Sequence, residues 1–218
     1  MEIIKIIDKQ KLNDITFRFT MGNGGAAFDA PGQFARLYAD GGKGSKLVPV
    51  AEFDSNRFIV ILRVEDEVSE CLAKCEPGTE LGAELGLGCG FDIQSIPDGS
   101  TLAAEGAGIP TVLNLMRQLL IYGKDCKIVL GYSSKDNAFM LTPFKSLASN
   151  LEIITEDGSN GRKGHIDNAV RKADYVCACA DGDIIRRLCD KTDAGQFICI
   201  DKIEENQNVI TREQVMNM

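Results

Sequence analysis

The chain has 218 residues with 44% hydrophobic and 26% charged side chains, a balance that excludes a disordered tail or a fibrous repeat. A formal charge of −8 argues against nucleic-acid binding, which needs clustered Lys and Arg, and a single histidine, His165, excludes a site built on several histidines. No apolar run reaches the ~18 residues that span a bilayer, and the N-terminus shows no export signal, so a cytoplasmic protein without membrane contact is expected.

The first 98 residues read as strands and turns. Glu2–Ile7, Asp14–Thr20, Gln33–Ala39 and Arg57–Val64 are predicted strands, the second with Ile15, Phe17 and Phe19 on one face. Met21–Ala27 reads as a glycine-rich turn. Glu65–Lys74 reads as a short amphipathic helix stopped by Pro77-Gly78. Together these predict an antiparallel β-barrel over residues 1–98.

The pattern changes at Pro97-Asp98-Gly99. Beyond it strands (Thr101–Ala104, Cys126–Tyr132, Leu151–Thr155, Tyr175–Ala180, Gln196–Asp201) alternate with helices (Thr111–Tyr122, Gly164–Arg171, Asp183–Cys189). That series predicts an α/β, Rossmann-like domain with a parallel sheet over residues 99–218. The polar last dozen residues read as a fraying end.

The eight cysteines include several inside apolar runs, which points to buried, reduced thiols rather than disulfides. Cys71 and Cys75 share a helical face and could clamp a metal or fill core space; no second ligand pair follows, so no metal site is expected.

Three segments are candidates for chemistry. Gly106-Ala107-Gly108-Ile109 lies between a strand and a helix, where backbone N–H groups and the helix dipole suit a pyrophosphate. It equally suits a tight turn without ligand. Glu105 stands at its mouth. The loop from Thr155 to His165 follows a strand end, with Asp157, Gly158 and Ser159 and the cations Arg162 and Lys163. His165 reads as a partly exposed loop residue. Cys179-Ala180-Asp181 ends an apolar strand before a helix, where a thiol could face the same crevice or be a buried structural cysteine.

Taken together these residues resemble the ferredoxin-reductase-like flavoproteins, and among them the electron-transfer subunit of bacterial dihydroorotate dehydrogenase. Pro31-Gly32-Gln33-Phe34 matches a P-G-Q-F motif, and Leu87-Gly88-Cys89-Gly90-Phe91 resembles L-G-x-G-F. Gly106–Ile109 resembles G-G-G-I, Asp157–Gly164 is similar to D-G-S-x-G-x-K-G, and Cys179-Ala180-Asp181 falls where C-G-P or C-G-D stands. The order holds from Pro31 to about Leu188. The resemblance implies an N-terminal domain for FAD, a C-terminal domain for NAD(P)H, and hydride passing between them. It implies flavin contacts at Lys46, Val48, Pro49, Gly88 and Gly90. It implies nucleotide contacts at Gly106, Gly108, Ile109, Asp157, Gly158, Ser159, Ala180 and Asp181, with Cys179 as the catalytic residue beside the nicotinamide.

The departures carry equal weight. Lys46-Leu47-Val48-Pro49 replaces the R-P-x-S of the flavin site, and Glu65-Asp66-Glu67-Val68 replaces a G-x-G-T phosphate turn. No cysteine follows Cys199, so no iron–sulfur cluster is expected in this chain. The expected partners are a nicotinamide nucleotide and a redox partner protein, with self-association open; Lys135 leans slightly toward NADPH. An NAD(P)H-dependent flavin oxidoreductase subunit, a nucleotide-sensing scaffold that has lost flavin, and a structural subunit of a redox complex all remain open.

Overall fold

A computed structural model describes residues 1–22, 28–39, 44–172, 174–200 and 209–216. Six strands form a closed antiparallel barrel: β1 (Glu2–Asn13), β2 (Thr16–Gly22), β3 (Phe34–Tyr38), β4 (Ser45–Phe53), β5 (Arg57–Arg63) and β6 (Glu80–Leu87), in the order β1-β2-β5-β4-β3-β6. Alternating side chains fill it, with Ile4 and Ile6 of β1, Phe19 and Met21 of β2 and Leu37 of β3 all buried. The segment predicted to be a glycine-rich turn lies outside the described residues from 23 to 27.

Two barrel strands escaped the sequence reading. β4 contains Pro49, a residue that normally argues against an interior strand. It is tolerated because the β4–β5 ladder begins only at Val50, opposite Val60. β6 carries Gly82 and Gly86, which blur its alternation. The helix α1 (Glu67–Ala73) starts two residues later than predicted, because Asp66 is its N-cap.

The second sheet has the order β10-β9-β8-β7-β11-β12-β13. Its central strands β7 (Ser100–Glu105), β8 (Cys126–Tyr132), β9 (Asn150–Thr155), β11 (Tyr175–Ala180) and β12 (Ala194–Cys199) run parallel, as does the short edge strand β10 (Arg162–Lys163). The chain progresses from β7 outward to β9 and β10, then returns to place β11 on the other side of β7. The adjacent carboxyl ends of β7 and β11 therefore form the topological switch point where such sheets bind ligands.

Helix α2 (Ile109–Ile121) is buried on nearly every side, because it lies between this sheet and β4 of the barrel. Phe34, Ala51, Ile59 and Ile61 of the barrel accordingly share one apolar core with Val112, Leu115 and Met116 of α2 and Leu102 of β7. Arg117 of α2 also pairs with Glu52 of β4. Between Leu87 and Ser100 the chain is pinned rather than loose: Lys124 donates to the carbonyls of Ile93, Gln94 and Ile96, and Gln196 bonds both backbone groups of Asp92.

Other differences from the predicted elements are local. The helix expected over Gly164–Arg171 is only a 3-10 turn, Ile166–Ala169, preceded by Gly164 at φ 129° and followed by an extended Val170. Helix α3 (Leu141–Leu147), with Pro143 in its first turn, was not anticipated. Helix α4 (Gly182–Lys191) is slightly longer than predicted. The predicted fraying end instead folds back: β13 (Ile210–Thr211) pairs antiparallel with β12, and Val215 of α5 (Arg212–Met216) is buried. Asp201 of the last predicted strand lies outside the described residues.

Candidate functional site

A cavity of about 210 Å³ opens at the switch point. Glu105, Gly106 and Ala107 enter it from the end of β7, Gly131, Tyr132 and Ser133 from the end of β8, Glu156 from β9 and Asp181 from β11. Tyr132 and Phe139 form an apolar wall, held by a hydrogen bond from the Tyr132 hydroxyl to the Phe139 carbonyl at 2.8 Å. A second cavity of about 230 Å³ lies against the barrel, lined by Lys46, Leu47, Val48 and Pro49 of β4 and Ile61, Leu62 and Arg63 of β5. Arg63, Glu65, Ala107, Asp181 and Ile200 line both, so the two are one cleft between barrel and parallel sheet. Together they fall within the ~300–1,000 Å³ typical of small-molecule sites.

The two helix ends at this cleft differ. No side chain caps α2, and the preceding glycine turn leaves room for a ligand: Gly106 has φ 56°, and no atom lies within 4 Å of where its Cβ would be. The N-terminus of α1 is closed instead. Asp66 accepts from the Ser69 backbone N–H at 2.7 Å, while the Ser69 hydroxyl accepts from the Asp66 N–H at 3.0 Å, forming a capping box. The Lys46 ammonium donates to the same carboxylate at 2.7 Å. That hydrogen bond and the Ser69 contacts lower the Asp66 pKa to about 2.

Glu105 is the other distinctive acid. Its carboxylate accepts from the Ile166 N–H at 3.0 Å and stands 3.4 Å from His165 Nδ1, tying the glycine turn to the end of the long polar loop. Its side chain crosses Gly131, where any Cβ would lie 2.2 Å from its Cγ. Burial pushes its pKa upward, against the opposing Ile166 hydrogen bond and the nearby His165. A carboxyl whose pKa is raised on folding stabilises the fold below its unfolded value and loses that contribution as pH rises through the folded value. Glu105→Gln keeps an acceptor for Ile166 and removes the buried charge. It is expected to raise Tm near pH 7 and to lose that advantage near pH 4. Equal Tm differences at both pH values would mean that His165 and Ile166 fully offset the burial.

The predicted site residues are only partly brought together. Lys46, Val48, Pro49, Gly106 and Asp181 line the cleft. Asp157, Gly158 and Ser159 lie outside its lining, beside the turn after β8, where the Lys135 N–H donates to the Ser159 hydroxyl and Ser159 bonds Asp157. Gly108, Ile109 and Ala180 lie in the packed layer beneath the cleft. A Cβ on Gly108 would lie 1.8 Å from the carbonyl oxygen of Cys179.

Two expectations are corrected. Gly88 and Gly90 do not face the cleft: the Gly88 carbonyl accepts from the Gln33 side chain, and a Cβ on Gly90 would lie 2.5 Å from the Ala30 Cβ. Gly90 is a glycine for close packing against Ala30 in the turn before β3. Cys179 does not face the crevice either. β11 is covered on both faces, its cysteines Cys177 and Cys179 on one and Ala178 and Ala180 on the other. Cys179 is completely buried, and burial pushes its thiol pKa far up, so a reactive thiolate is not available there.

Several lining residues escaped the sequence reading. Arg63 sits at the end of a predicted strand and gave only the signal of a cation before an acidic run. Asn137, Phe139 and Ile200 become neighbours only through the parallel sheet, which also brings in Glu156 from the polar loop singled out after β9. No disulfide joins the cysteines; Cys75 donates to the carbonyl of Cys71 at 3.6 Å, and both pack against the barrel core. Among the described residues no group of three or more His, Cys, Asp or Glu side chains could hold a metal ion, and no helix is long and apolar enough to cross a membrane.

No protein-family model matches the chain. Among characterised proteins it is similar to the electron transfer subunit of dihydroorotate dehydrogenase B (NAD(+)) from Fusobacterium nucleatum subsp. nucleatum, with 30% identity over 149 residues. The match takes in 65% of this chain and 57% of that relative, so the chain spans little more than half the relative's length. Among solved structures, an NADH-dependent reduced ferredoxin-NADP oxidoreductase studied for flavin-based electron bifurcation superposes with a TM-score of 0.82 at 20% identity, covering 98% of this chain and 89% of that one. A ferredoxin NADP+ reductase from Neisseria gonorrhoeae with bound FAD and NADP superposes with a TM-score of 0.69 at 16% identity, covering 87% and 89%.

Proposed function

We propose that this chain, a relative of the ferredoxin-reductase-like flavoproteins in sequence and fold, is an electron-transfer subunit that moves electrons between NAD(P)H and a partner or acceptor through a flavin. One observation carries the reading: the cavity at the sheet's switch point and the cavity against the barrel share the lining residues Arg63, Glu65, Ala107, Asp181 and Ile200. A nicotinamide nucleotide held at the open end of α2 would project its ring toward Ala107, Asp181 and Ile200, which border both cavities. The relatives support the same division, since the Neisseria reductase carries FAD and NADP and the Fusobacterium protein is an electron transfer subunit.

In this proposal Gly106 and Ala107 approach the pyrophosphate through backbone N–H groups, and Asp157 to Ser159 form the rim. Leu47, Val48, Pro49 and Leu62 offer a planar ring an apolar wall. Cys179 serves as packing beneath the nucleotide turn. The fit to a flavin is divided: the ring has its wall, while a phosphate tail meets the capped end of α1. That capped end favours the second reading, a nucleotide-sensing or partner-binding scaffold without flavin. A cytoplasmic location accords with eight cysteines held as thiols rather than disulfides.

The test has two parts. Calorimetric titration with NADH, NADPH and ADP should give saturable binding below millimolar concentration. Oxidation of NAD(P)H with added flavin and a dye acceptor should then depend on the protein. Nucleotide binding without flavin-dependent oxidation would leave the scaffold reading; no nucleotide binding would end both.

A further inference from the structure

We infer that the barrel half of the cleft selects an isoalloxazine without a phosphate tail, because the chain's own carboxylates already engage the cations and the helix end that a phosphate would need. The inference rests on the flavin reading above and specifies the chemical form of the ligand.

The cavity against the barrel contains two cations, Lys46 and Arg63. Lys46 bonds Asp66 at 2.7 Å and approaches Glu65 at 3.5 Å, and Arg63 lies 3.4 Å from Glu65. A phosphate entering here would have to displace one of these carboxylates or accept its repulsion. The start of α1 is capped as well: Asp66 accepts from the Ser69 N–H, and the Ser69 hydroxyl accepts from the N–H groups of Glu65 and Asp66. Further acids line the neighbouring cavity: Glu105, Glu156 and Asp181. A low-dielectric cleft concentrates the field of such charges, and Glu65 and Asp181 border the barrel cavity itself, so an anionic tail is repelled where it would lie against the barrel.

The rest of the wall suits an uncharged aromatic ring. Leu47, Val48, Pro49, Ile61, Leu62 and Ile200 are apolar, and Pro49 offers no N–H that would be left unpaired against the ring. The contrast with α2 is internal to the molecule. No side chain caps α2, and the glycine turn before it is open at Gly106, so no carboxylate closes the nucleotide side of the cleft as Asp66 closes the barrel side.

The test compares riboflavin, FMN and FAD by quenching of flavin fluorescence on the intact chain, at low and at moderate salt. Riboflavin is expected to bind at least as tightly as FMN and FAD, and FMN binding is expected to tighten as salt screens the carboxylates. In the double variant Glu65→Gln, Asp66→Ser, which retains a capping hydroxyl, FMN and FAD should gain about tenfold in affinity while riboflavin changes by less than about threefold. FAD or FMN binding about tenfold tighter than riboflavin to the unaltered chain overturns the inference and leaves the flavin reading intact. The wild-type series decides this even if the variant fails to fold. If none of the three binds, the flavin reading falls and the inference with it.

Discussion

Gly108→Ala is expected to destabilise the protein by about 3 kcal/mol, roughly 6–12 °C in Tm for a chain of this size. The new Cβ would lie 1.8 Å from the Cys179 carbonyl oxygen and 2.5 Å from its carbonyl carbon, both backbone atoms of a central strand that cannot swing aside. Either the glycine turn lifts off β11 or β11 shifts within the sheet. Gly106→Ala is the control. There the added methyl meets nothing within 4 Å, and the penalty is that of a left-handed φ of 56°, about 1 kcal/mol. Thermal unfolding by circular dichroism should therefore rank Gly108→Ala well below Gly106→Ala. Equal Tm values would show that the close approach at Cys179 relaxes freely. Loss of nucleotide binding in a Gly108 variant accordingly reports on packing beneath the site as much as on the site.

The parts of the fold legible in the sequence are those with a strong local pattern. The continuous apolar runs of β8 and β11 appear where they were expected, as does the stripe of α2, because buried parallel strands and long helices mark themselves. β4 was illegible because Pro49 is a breaker in isolation and is excused only by where its neighbour's ladder begins. The site divides on the same line. The glycine turn is legible because its spacing is local. Arg63, Glu156, Phe139 and Ile200 are brought together by strand order, which no residue spacing expresses. Cys179 was misread for a related reason: a strand end looks exposed in sequence, yet β7 and β12 flank this one and apolar layers cover both its faces. The acidic run after β5 is read from the sequence as the replacement of a phosphate turn. Its structural role, a carboxylate capping α1 and holding Lys46, becomes visible only with the partners in place.

Phe34→Ala is expected to be the most damaging core truncation of the barrel–sheet junction, at about 3–5 kcal/mol. Phe34 is fully buried and pairs across to Pro49 on β4 and Leu87 on β6. Its side chain belongs to the core that also contains Val112, Leu115 and Met116 of α2 and Leu102 of β7. A cavity there removes contacts from the barrel and from the parallel sheet together. Two observables separate this from an effect on the barrel alone. Far-UV dichroism follows both sheets, whereas near-UV dichroism in a Tyr38→Phe background, which removes the barrel's one tyrosine, follows Tyr122 at the end of α2 and Tyr132 and Tyr175 in the parallel sheet. With one shared core the two transitions should move down together and stay coincident. Phe58→Ala, whose ring packs on Phe28 inside the barrel core, is the comparison, because its cavity touches the barrel interior only. If Phe34→Ala split the transitions, leaving the tyrosine signal at its original Tm, barrel and parallel sheet would be independent units that merely touch. The cleft between them would then be free to open without unfolding either. Coincident transitions mean instead that α2 fuses the two halves, so that a ring bound against β4 and a nucleotide bound at the end of β7 meet across a fixed gap.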